Sequence, residues 1–438
     1  MTTVPQAKVF PVSTQVNDHG HLTIGGCDLV DLASEFDTPL YVYDEATLKS
    51  QVEAFNIAFK SRHADSKVLY ACKAFINVPM ARMLSSNGVG FDIVSGGELA
   101  VLRAAGVPAA DVYFHGNNKT PQELRDAVDW GIGQVVIDSF YELVLLNELS
   151  KAAGRVQTVL VRVSPSIDAH THRLTTTGVL DSKFGFPIET GQAAEAVKLA
   201  LKADNLDLRG IHFHLGSPIF ELEPYSEAVS HVLSFASEMR EEGLQMREFS
   251  PGGGYAIAYT EADDPPTPSA YAEAIVNALK AGCAEFNMPE PTLIIEPGRA
   301  ITGPSAVAVY TVGAIKEVPG VRTFVSVDGG MGDNIRPALY DAKYTAVVAD
   351  LAGSPADWKV TVAGKYCESG DILVRDAQIA KVTAGNLIAI PAAGAYTPSM
   401  ASTYNVNGRP AMVMVADGHA TLIRRRETYA DMMAQDVV

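Results

Sequence analysis

The sequence predicts an α/β fold in which a parallel (β/α)8 barrel is joined to a mostly β domain that also takes in the N-terminal segment. Two observations predict it. From residue 68 to residue 300, eight short β-rich runs alternate with segments of helical periodicity. After residue 311, strand-like runs follow one another, separated by glycine and proline. We therefore expect a barrel over residues 46–311 and a β domain built from residues 1–45 and 312–438.

The predicted barrel strands are short runs rich in β-branched and aromatic residues, each followed by glycine, proline or polar residues. In chain order they are 68–73, 90–95, 112–116, 134–139, 158–165, 209–217, 248–255 and 292–300. The connection after the fifth strand, SIDAHTHRLTTTGVLDSKFGF, is unusually long and polar. Long loops in compact domains often carry function.

Helix signals stand between these runs. In TPQELRDAVDWG, Thr120 suits the N-cap, Pro121 the first helical position and Glu123 the reciprocal position of a capping box. The segments SFYELVLLNELSKAAG and EPYSEAVSHVLSFASEMREEG both end in glycine, which commonly follows the last turn of a helix. Strands that alternate with helices in this way predict a parallel barrel.

Composition excludes several classes of protein. The chain is 47% hydrophobic and 19% charged, as in an ordinary globular protein, and its net charge of -17 argues against nucleic acid or an anionic membrane as partner. No apolar run has the length of a membrane span, and the first residues do not resemble a signal peptide. Four cysteines lie far apart, which predicts neither a disulfide framework nor a metal site and fits a cytoplasmic protein (Cys27, Cys72, Cys283 and Cys367).

Reactive residues collect at the predicted carboxyl ends of the barrel strands, where this fold carries its chemistry. Lys73 ends the first strand within YACKAF, His214 stands in the sixth, Gly252–Gly254 follow the seventh, and Glu296 ends the eighth. Each has a plainer explanation: a surface lysine, a core histidine, a flexible turn, and a carboxylate paired with a nearby arginine. Their joint placement at one face favours a functional site.

Pyridoxal phosphate accounts for all four features, because it needs an amine for a Schiff base, phosphate donors, a group against its ring and a partner for its ring nitrogen. Lys73 supplies the amine, and we expect partial burial to lower its pKa. Consecutive glycine amides suit a phosphate. A carboxylate such as Glu296 keeps the ring nitrogen protonated, which favours loss of carbon dioxide.

Ten segments together resemble the diaminopimelate decarboxylases, which belong to the alanine-racemase-like class of pyridoxal-phosphate enzymes. In chain order they are YACKAF, GFDIVSGGEL, HGNNKT, DSKFGF, HFHLGS, PGGGY, EPGRAI, IRPALY, CESGD and GAYTPSMASTYN. The resemblance covers nearly the whole chain. It implies a barrel with a β domain, and decarboxylation of meso-2,6-diaminopimelate to L-lysine, the last step of bacterial lysine synthesis.

The resemblance also implies roles for single residues. Lys73 would carry the cofactor, His214 would stack on its ring, and Glu296 would meet the ring nitrogen. The phosphate would be held by Ser217, Gly252, Gly253, Gly254 and Tyr396. The distal end of the substrate would be bound by Arg299, Arg336 and Tyr340, with Tyr396 beside them.

The segment CESGD reaches the neighbouring subunit's active site in this family, so the resemblance implies a homodimer with shared sites. Cys367 would return a proton to the α-carbon, and Glu368 would hold the distal ammonium group. The plainer explanation of Cys367 is a half-buried small residue.

Three alternatives remain. A related decarboxylase could act on ornithine, arginine or a carrier-bound amino acid, although Arg336 with Glu368 favours a substrate whose far end carries both a carboxylate and an amine. A racemase would need a base in place of Glu296. A non-catalytic regulator would have lost the lysine or the cofactor contacts, all of which are present here.

Overall fold

The computed structural model describes residues 4–169, 177–178 and 180–437. The chain divides into two compact units, a barrel unit (Val52–Ala256 and Pro265–Gly298) and a β unit (Met1–Gln51, Ile257–Asp264 and Arg299–Val438). The division passes at residue 298 instead of the expected 311. The reason is that the strand Ala306–Val318 pairs along its length with strands of the β unit.

The barrel prediction is confirmed. Eight parallel strands pair in chain order, and the last pairs with the first, so that the sheet closes. They are Ser66–Ala71, Gly90–Ile93, Val112–Phe114, Gln134–Ile137, Gln157–Ser164, Leu206–His212, Glu248–Ser250 and Thr292–Ile295. Apolar side chains from five of them pack into one interior cluster: Leu69, Tyr113, Val136, Leu160 and Ile294.

Several strands end earlier than the sequence predicts. Lys73 lies in a 3-10 turn, Cys72–Ala74, and not in the first strand. His214 and Glu296 likewise follow the sixth and eighth strands. The lysine ammonium is therefore not enclosed in a strand, and its side chain is 39% exposed. These residues stand where the chain leaves the sheet, at the carboxyl end of the barrel.

Helices follow the strands and connect them around the barrel. They are Glu45–Lys60, Val78–Ser86, Gly96–Ala105, Pro121–Trp130, Phe140–Ala152, Gln192–Lys202, Glu223–Met239 and Pro268–Glu285. The predicted capping box is confirmed, because the Thr120 side chain accepts from the Glu123 amide and the Glu123 carboxylate accepts from the Thr120 amide. The long connection after the fifth strand is described only in part, since residues 170–176 and 179 lie outside the described residues.

The β unit contains a sheet whose main path runs through Ile372–Ile379, Trp358–Ala363, Arg322–Val327, Ala306–Val318, Leu40–Asp44, Ala411–Ala416 and His419–Arg424. Leu387–Ile390 pairs with Ala306–Val318 and with the short strand Val347–Val348. The N-terminal segment joins this sheet through Leu40–Asp44, as expected, and adds a small sheet of Gln15–Val16, Leu22–Ile24 and Cys27–Asp28. Short helices complete the unit: Leu29–Phe36, Arg299–Thr302, Arg336–Tyr340 and Tyr429–Met433.

Cysteine burial separates one cysteine from the other three. Cys27, Cys72 and Cys283 are buried, and Cys367 is exposed where a half-buried position was the plain expectation. Within the described residues, no helix is long and apolar enough to cross a membrane.

Candidate active site

A cavity of about 340 Å³ opens at the carboxyl ends of the barrel strands. Lys73, His214 and Glu296 line it, together with residues that directly follow the second and third strands, residues of the fifth and sixth strands, and part of the long connection. The structure thus brings together three of the predicted residues, contributed by the first, sixth and eighth strands. The volume of the cavity lies in the range of small-molecule sites.

Lys73 lies beside a buried carboxylate that was absent from the predicted site. Its Nζ is 4.0 Å from Oδ2 of Asp92, whose side chain is 1% exposed. Burial raises the pKa of Asp92 to about 7, against the opposing effect of the Lys73 charge. Asp92 Oδ1 has no hydrogen-bond partner among the described residues. The lysine amine is therefore held next to a group that can take up or release a proton near neutrality.

Glu296 is held from two sides. Ser250 Oγ donates to its Oε1 at 2.7 Å, and His212 Nε2 lies 3.2 Å from its Oε2. Burial raises the pKa of Glu296 to about 7, although the Ser250 hydrogen bond and the Lys73 charge oppose the shift. A buried carboxylate of this kind is stabilised as an anion when a cationic ring nitrogen comes near it.

Two buried histidines stand next to Glu296. The rings of His115 and His212 meet edge to face at 4.8 Å, and burial holds the pKa of both well below the ordinary value, so that both are neutral. With Glu296 they place three possible metal ligands within 4.8 Å of one another. Two histidines and a glutamate are a ligand set that occurs in zinc sites. The Lys73 amine beside them is instead a group that forms Schiff bases with carbonyl compounds, which favours a cofactor with an aldehyde over a metal ion.

His214 is half-buried at the wall of the cavity. The Gly253 amide donates to its Nδ1 at 3.3 Å, so that Nδ1 is the acceptor nitrogen of the ring. Burial, followed by the Lys73 charge, holds the pKa of His214 well below its usual range. A neutral imidazole fixed in this way can lie flat against an aromatic ring.

The glycines Gly252–Gly254 have structural reasons to lack side chains. Gly252 and Gly254 have φ of +76° and +109°, and a Cβ at Gly254 would lie 2.5 Å from Gly216 O. Two of the three glycine amides are used within the protein, because Gly252 donates to Ser250 Oγ at 3.2 Å and Gly253 to His214 Nδ1. Within the described part of the chain, the Gly254 amide is the one of the three that has no partner, so it can take an anion. The segment bearing Ser217 runs beside it, since Ile219 donates to Gly254 O at 2.8 Å.

A buried polar network supports this face of the barrel. Arg162, which lines the cavity, is 3.4 Å from Asp138 and lies 4.5 Å above the Phe184 ring. Asp138 also accepts from the Gly185 amide at 2.6 Å. The Asp138 amide in turn donates to Glu142 at 3.0 Å. The network therefore joins the ends of the fourth and fifth strands to the described part of the long connection.

The predicted site missed four of these side chains, Asp92, His115, Arg162 and His212. Each is a polar residue in or directly after an otherwise apolar strand run. That pattern is the signal that could have found them, because a buried polar group at a strand end needs a partner or a function.

The predicted distal-end residues lie in the β unit. Arg299 and Arg336 are buried, and Arg299 Cζ lies 4.8 Å from the centre of the Tyr396 ring. Tyr340 is half-buried and closes the short helix that Arg336 begins. The cluster also contains Tyr259, whose hydroxyl accepts from Arg299 at 2.5 Å.

Cys367 and Glu368 lie on an exposed turn of the β unit. Both side chains are exposed, and the Cys367 amide donates to Asn405 Oδ1 at 3.0 Å. Asp371, at the end of the same motif, is buried and accepts from the Met331 amide at 2.6 Å. The turn is therefore anchored at its base while its tip faces outward.

The residues at the carboxyl end of the barrel fit pyridoxal phosphate. Lys73 offers an amine for the aldehyde, Glu296 a buried carboxylate for the ring nitrogen, and the Gly254 amide a donor for the phosphate. Besides Asp92 Oδ1, two buried ring nitrogens of the same group lack a hydrogen-bond partner among the described residues, His115 Nε2 and His212 Nδ1. Unsatisfied polar atoms around a cavity are what a polar ligand would complete.

Comparison with known proteins also indicates a pyridoxal-phosphate site. Residues 45–303 match the family model of the pyridoxal-dependent decarboxylase, pyridoxal binding domain. The chain is 44% identical to diaminopimelate decarboxylase of Bacillus subtilis (97% of each chain covered) and 39% identical to that of Mycobacterium tuberculosis (98% of each). A solved diaminopimelate decarboxylase of M. jannaschii, in complex with L-lysine, is 36% identical with a TM-score of 0.91 over 98% of each chain. The chain belongs to the diaminopimelate decarboxylase family of pyridoxal-dependent decarboxylases.

Proposed function

We propose that this protein is a pyridoxal-phosphate-dependent decarboxylase that converts meso-2,6-diaminopimelate to L-lysine and carbon dioxide, the last step of lysine biosynthesis. The observation that carries the proposal is the pairing, around one cavity, of the Lys73 amine with the buried carboxylate of Glu296. Diaminopimelate decarboxylases of other organisms are 39–44% identical to this chain.

The cofactor, when bound, supplies an electron sink for the pair of electrons left at the α-carbon. Lys73 would bind the cofactor aldehyde through Nζ. Glu296, fixed by Ser250, would help the ring nitrogen to keep its proton. The imidazole of His214 would pack against the cofactor ring.

Phosphate binding is assigned to Ser217 and to the glycines Gly252–Gly254, with Tyr396 as the helper from the β unit. Within the glycine run, Gly254 is the direct donor. Gly252 and Gly253 act through shape, because their amides already hold Ser250 and His214.

The distal amino-acid end of the substrate is assigned to Arg299, Arg336 and Tyr340. Guanidinium groups bind a carboxylate in a forked geometry that a lysine does not offer. A substrate such as ornithine has no distal carboxylate to use them, and this disfavours the alternative decarboxylases.

Cys367 and Glu368 are assigned to the active site of a second copy of the chain. Both are exposed in the single chain, which leaves them available to a partner. Cys367 would return the proton from Sγ to the α-carbon, and Glu368 would hold the distal ammonium group. We therefore propose a homodimer. We also place the enzyme in the cytoplasm, where its four free cysteines stay reduced.

The test is an assay of released carbon dioxide with meso-2,6-diaminopimelate, L-lysine, L-ornithine and L-arginine. We expect turnover with the first substrate and less than about a hundredth of that kcat/KM with the others. A preference for ornithine or arginine would favour the related decarboxylases. A colourless protein that releases no carbon dioxide would favour the non-catalytic regulator.

A further inference from the structure

The exposed turn that carries Cys367 is held by a second exposed segment of the β unit, Tyr404–Val406. The Cys367 amide donates to Asn405 Oδ1 at 3.0 Å. Beside that contact, the rings of Tyr366 and Tyr404 stack with their centres 6.0 Å apart and their planes within 11° of parallel. Two neighbouring residues of the turn are thus bound to two neighbouring residues of the second segment.

The rest of the turn has its own contacts. Asp371 Oδ2 accepts from the Tyr366 amide at 2.8 Å, and the Glu368 amide donates to Tyr366 O at 2.8 Å. Neither contact involves Asn405. The hydrogen bond from Asn405 therefore acts on the backbone of Cys367 in particular, while Glu368 is held from within the turn.

The backbone at Asn405 has an unusual conformation. Asn405 has φ of +50° and ψ of +26°, and the next residue, Val406, has φ of +55°. Asparagine adopts the left-handed region more readily than most residues, whereas a β-branched valine there is strained. The Val406 amide donates to Thr403 O at 2.8 Å, which fixes this turn. Strain of this kind is concentrated at functional sites, and a test of the Asn405 side chain has to keep the backbone conformation.

We propose that Asn405 is a positioning residue for the proton transfer from Cys367, because its side-chain oxygen fixes the Cys367 backbone and so the place of Sγ in the active site of the partner subunit. This inference rests on the proposed function. In the step concerned, the Sγ–H bond breaks, a C–H bond forms at the α-carbon on the electron pair left by carbon dioxide, and the thiolate regains a proton from water. A misplacement of about 1 Å can slow an enzymatic step roughly a hundredfold.

Two substitutions at Asn405 separate its acceptor from its backbone. Asn405→Gly removes the side-chain oxygen and keeps the left-handed conformation, which glycine adopts readily. Asn405→Asp keeps both the conformation and an acceptor oxygen. We expect kcat with meso-2,6-diaminopimelate to fall about tenfold in the glycine variant and to stay within about threefold in the aspartate variant. The KM should change less than about threefold in both, because Glu368 keeps its own contact.

Hydrogen exchange of the Cys367 amide tests the contact without turnover. Exchange should be about fivefold faster in Asn405→Gly than in the wild type, and close to the wild-type rate in Asn405→Asp. Asn407→Ala is the matched control. It removes a side-chain hydrogen bond of the same segment, from Asn407 Nδ2 to Tyr404 O at 3.2 Å, and leaves the acceptor of the Cys367 amide in place. It should change neither kcat nor the exchange rate.

Mixed dimers show on which site Asn405 acts. Asn405→Gly chains mixed with Lys73→Ala chains should recover activity, since one site then combines an intact Lys73 with an intact Cys367 turn. Recovery would also show that the glycine variant is folded. Mixed with Cys367→Ala chains, they should recover none, because both substitutions damage the turn that the chain lends to its partner.

The inference alone is overturned if the wild type releases carbon dioxide and Cys367→Ala is slow, but Asn405→Gly keeps the wild-type kcat. It is also overturned alone if Asn405→Asp is as slow as Asn405→Gly, or if Cys367 amide exchange is the same in the wild type and the glycine variant. A wild type that releases no carbon dioxide from meso-2,6-diaminopimelate overturns the proposed function and this inference with it.

Discussion

Ser250 donates a hydrogen bond to Oε1 of Glu296 across 2.7 Å, and both side chains are buried. Ser250 ends one strand and Glu296 follows its neighbour in the sheet, so the contact depends on the pairing of these two strands. Burial of a carboxylate costs free energy. The hydrogen bond from Ser250 offsets part of that cost and fixes the orientation of the Glu296 side chain. The first prediction concerns the proton on that group.

The free energy of unfolding of the cofactor-free chain should fall as the pH rises between about 4.5 and about 7. Burial raises the pKa of Glu296 in the folded chain to about 7 from an ordinary value of 4.5. Within that window the folded chain holds a proton that the unfolded chain has released, so stability is lost as the pH increases. Glu296→Gln should remove roughly 1 to 3 kcal/mol of this loss. Urea denaturation at several pH values measures it, and parallel curves for both proteins would contradict the prediction.

Lys73→Ala should abolish turnover and leave the barrel folded, because the side chain projects into the cavity from a turn after the strand. The wild type should be yellow, and borohydride should fix the cofactor to Lys73, as peptide mapping would show. Circular dichroism of the variant checks the fold. Retained carbon dioxide release would refute the assignment of the amine.

Cys367→Ala should slow turnover strongly while the cofactor stays bound. Cys367 is exposed on its turn, so the substitution removes no core packing. A mixture of inactive Lys73→Ala and Cys367→Ala chains should recover activity, since a mixed dimer contains one intact site. Proven subunit exchange without recovery would count against shared sites.

Lys119→Met should destabilise the protein by about 3 to 5 kcal/mol. Lys119 and Glu142 form a 2.7 Å ion pair whose side chains are 1% and 3% exposed, and the substitution leaves the carboxylate buried without its cation. The double variant Lys119→Met with Glu142→Leu should cost less than the single one. Chemical denaturation measures both.

The comparison pair for this prediction is Lys49 with Glu45, which lie one turn apart on a helix and are 52% and 29% exposed. Lys49→Met should cost no more than about 0.5 kcal/mol, because water screens an exposed pair. Equal losses at Lys49 and Lys119 would show that burial does not control the strength of these pairs.

Local sequence patterns were enough to predict the architecture. The alternation of strand and helix runs predicted the closed barrel, and the Thr120 capping box was readable because its partners lie three residues apart. Strand ends were less accurate. Lys73, His214 and Glu296 lie just beyond their strands, since where pairing stops depends on the neighbouring strands and not on the run itself.

By itself, the sequence determined that a lysine, a histidine, a glycine run and a glutamate stand at the carboxyl ends of barrel strands, because side-chain periodicity and chain order are local properties. Only the tertiary structure decided that Asp92 would lie beside Lys73, that two of the three glycine amides would be used internally, and that Tyr259 would hold Arg299. Apart from the Gly252–Ser250 hydrogen bond, these contacts join segments far apart in the chain. Strand register and packing bring them together, and no local pattern encodes either.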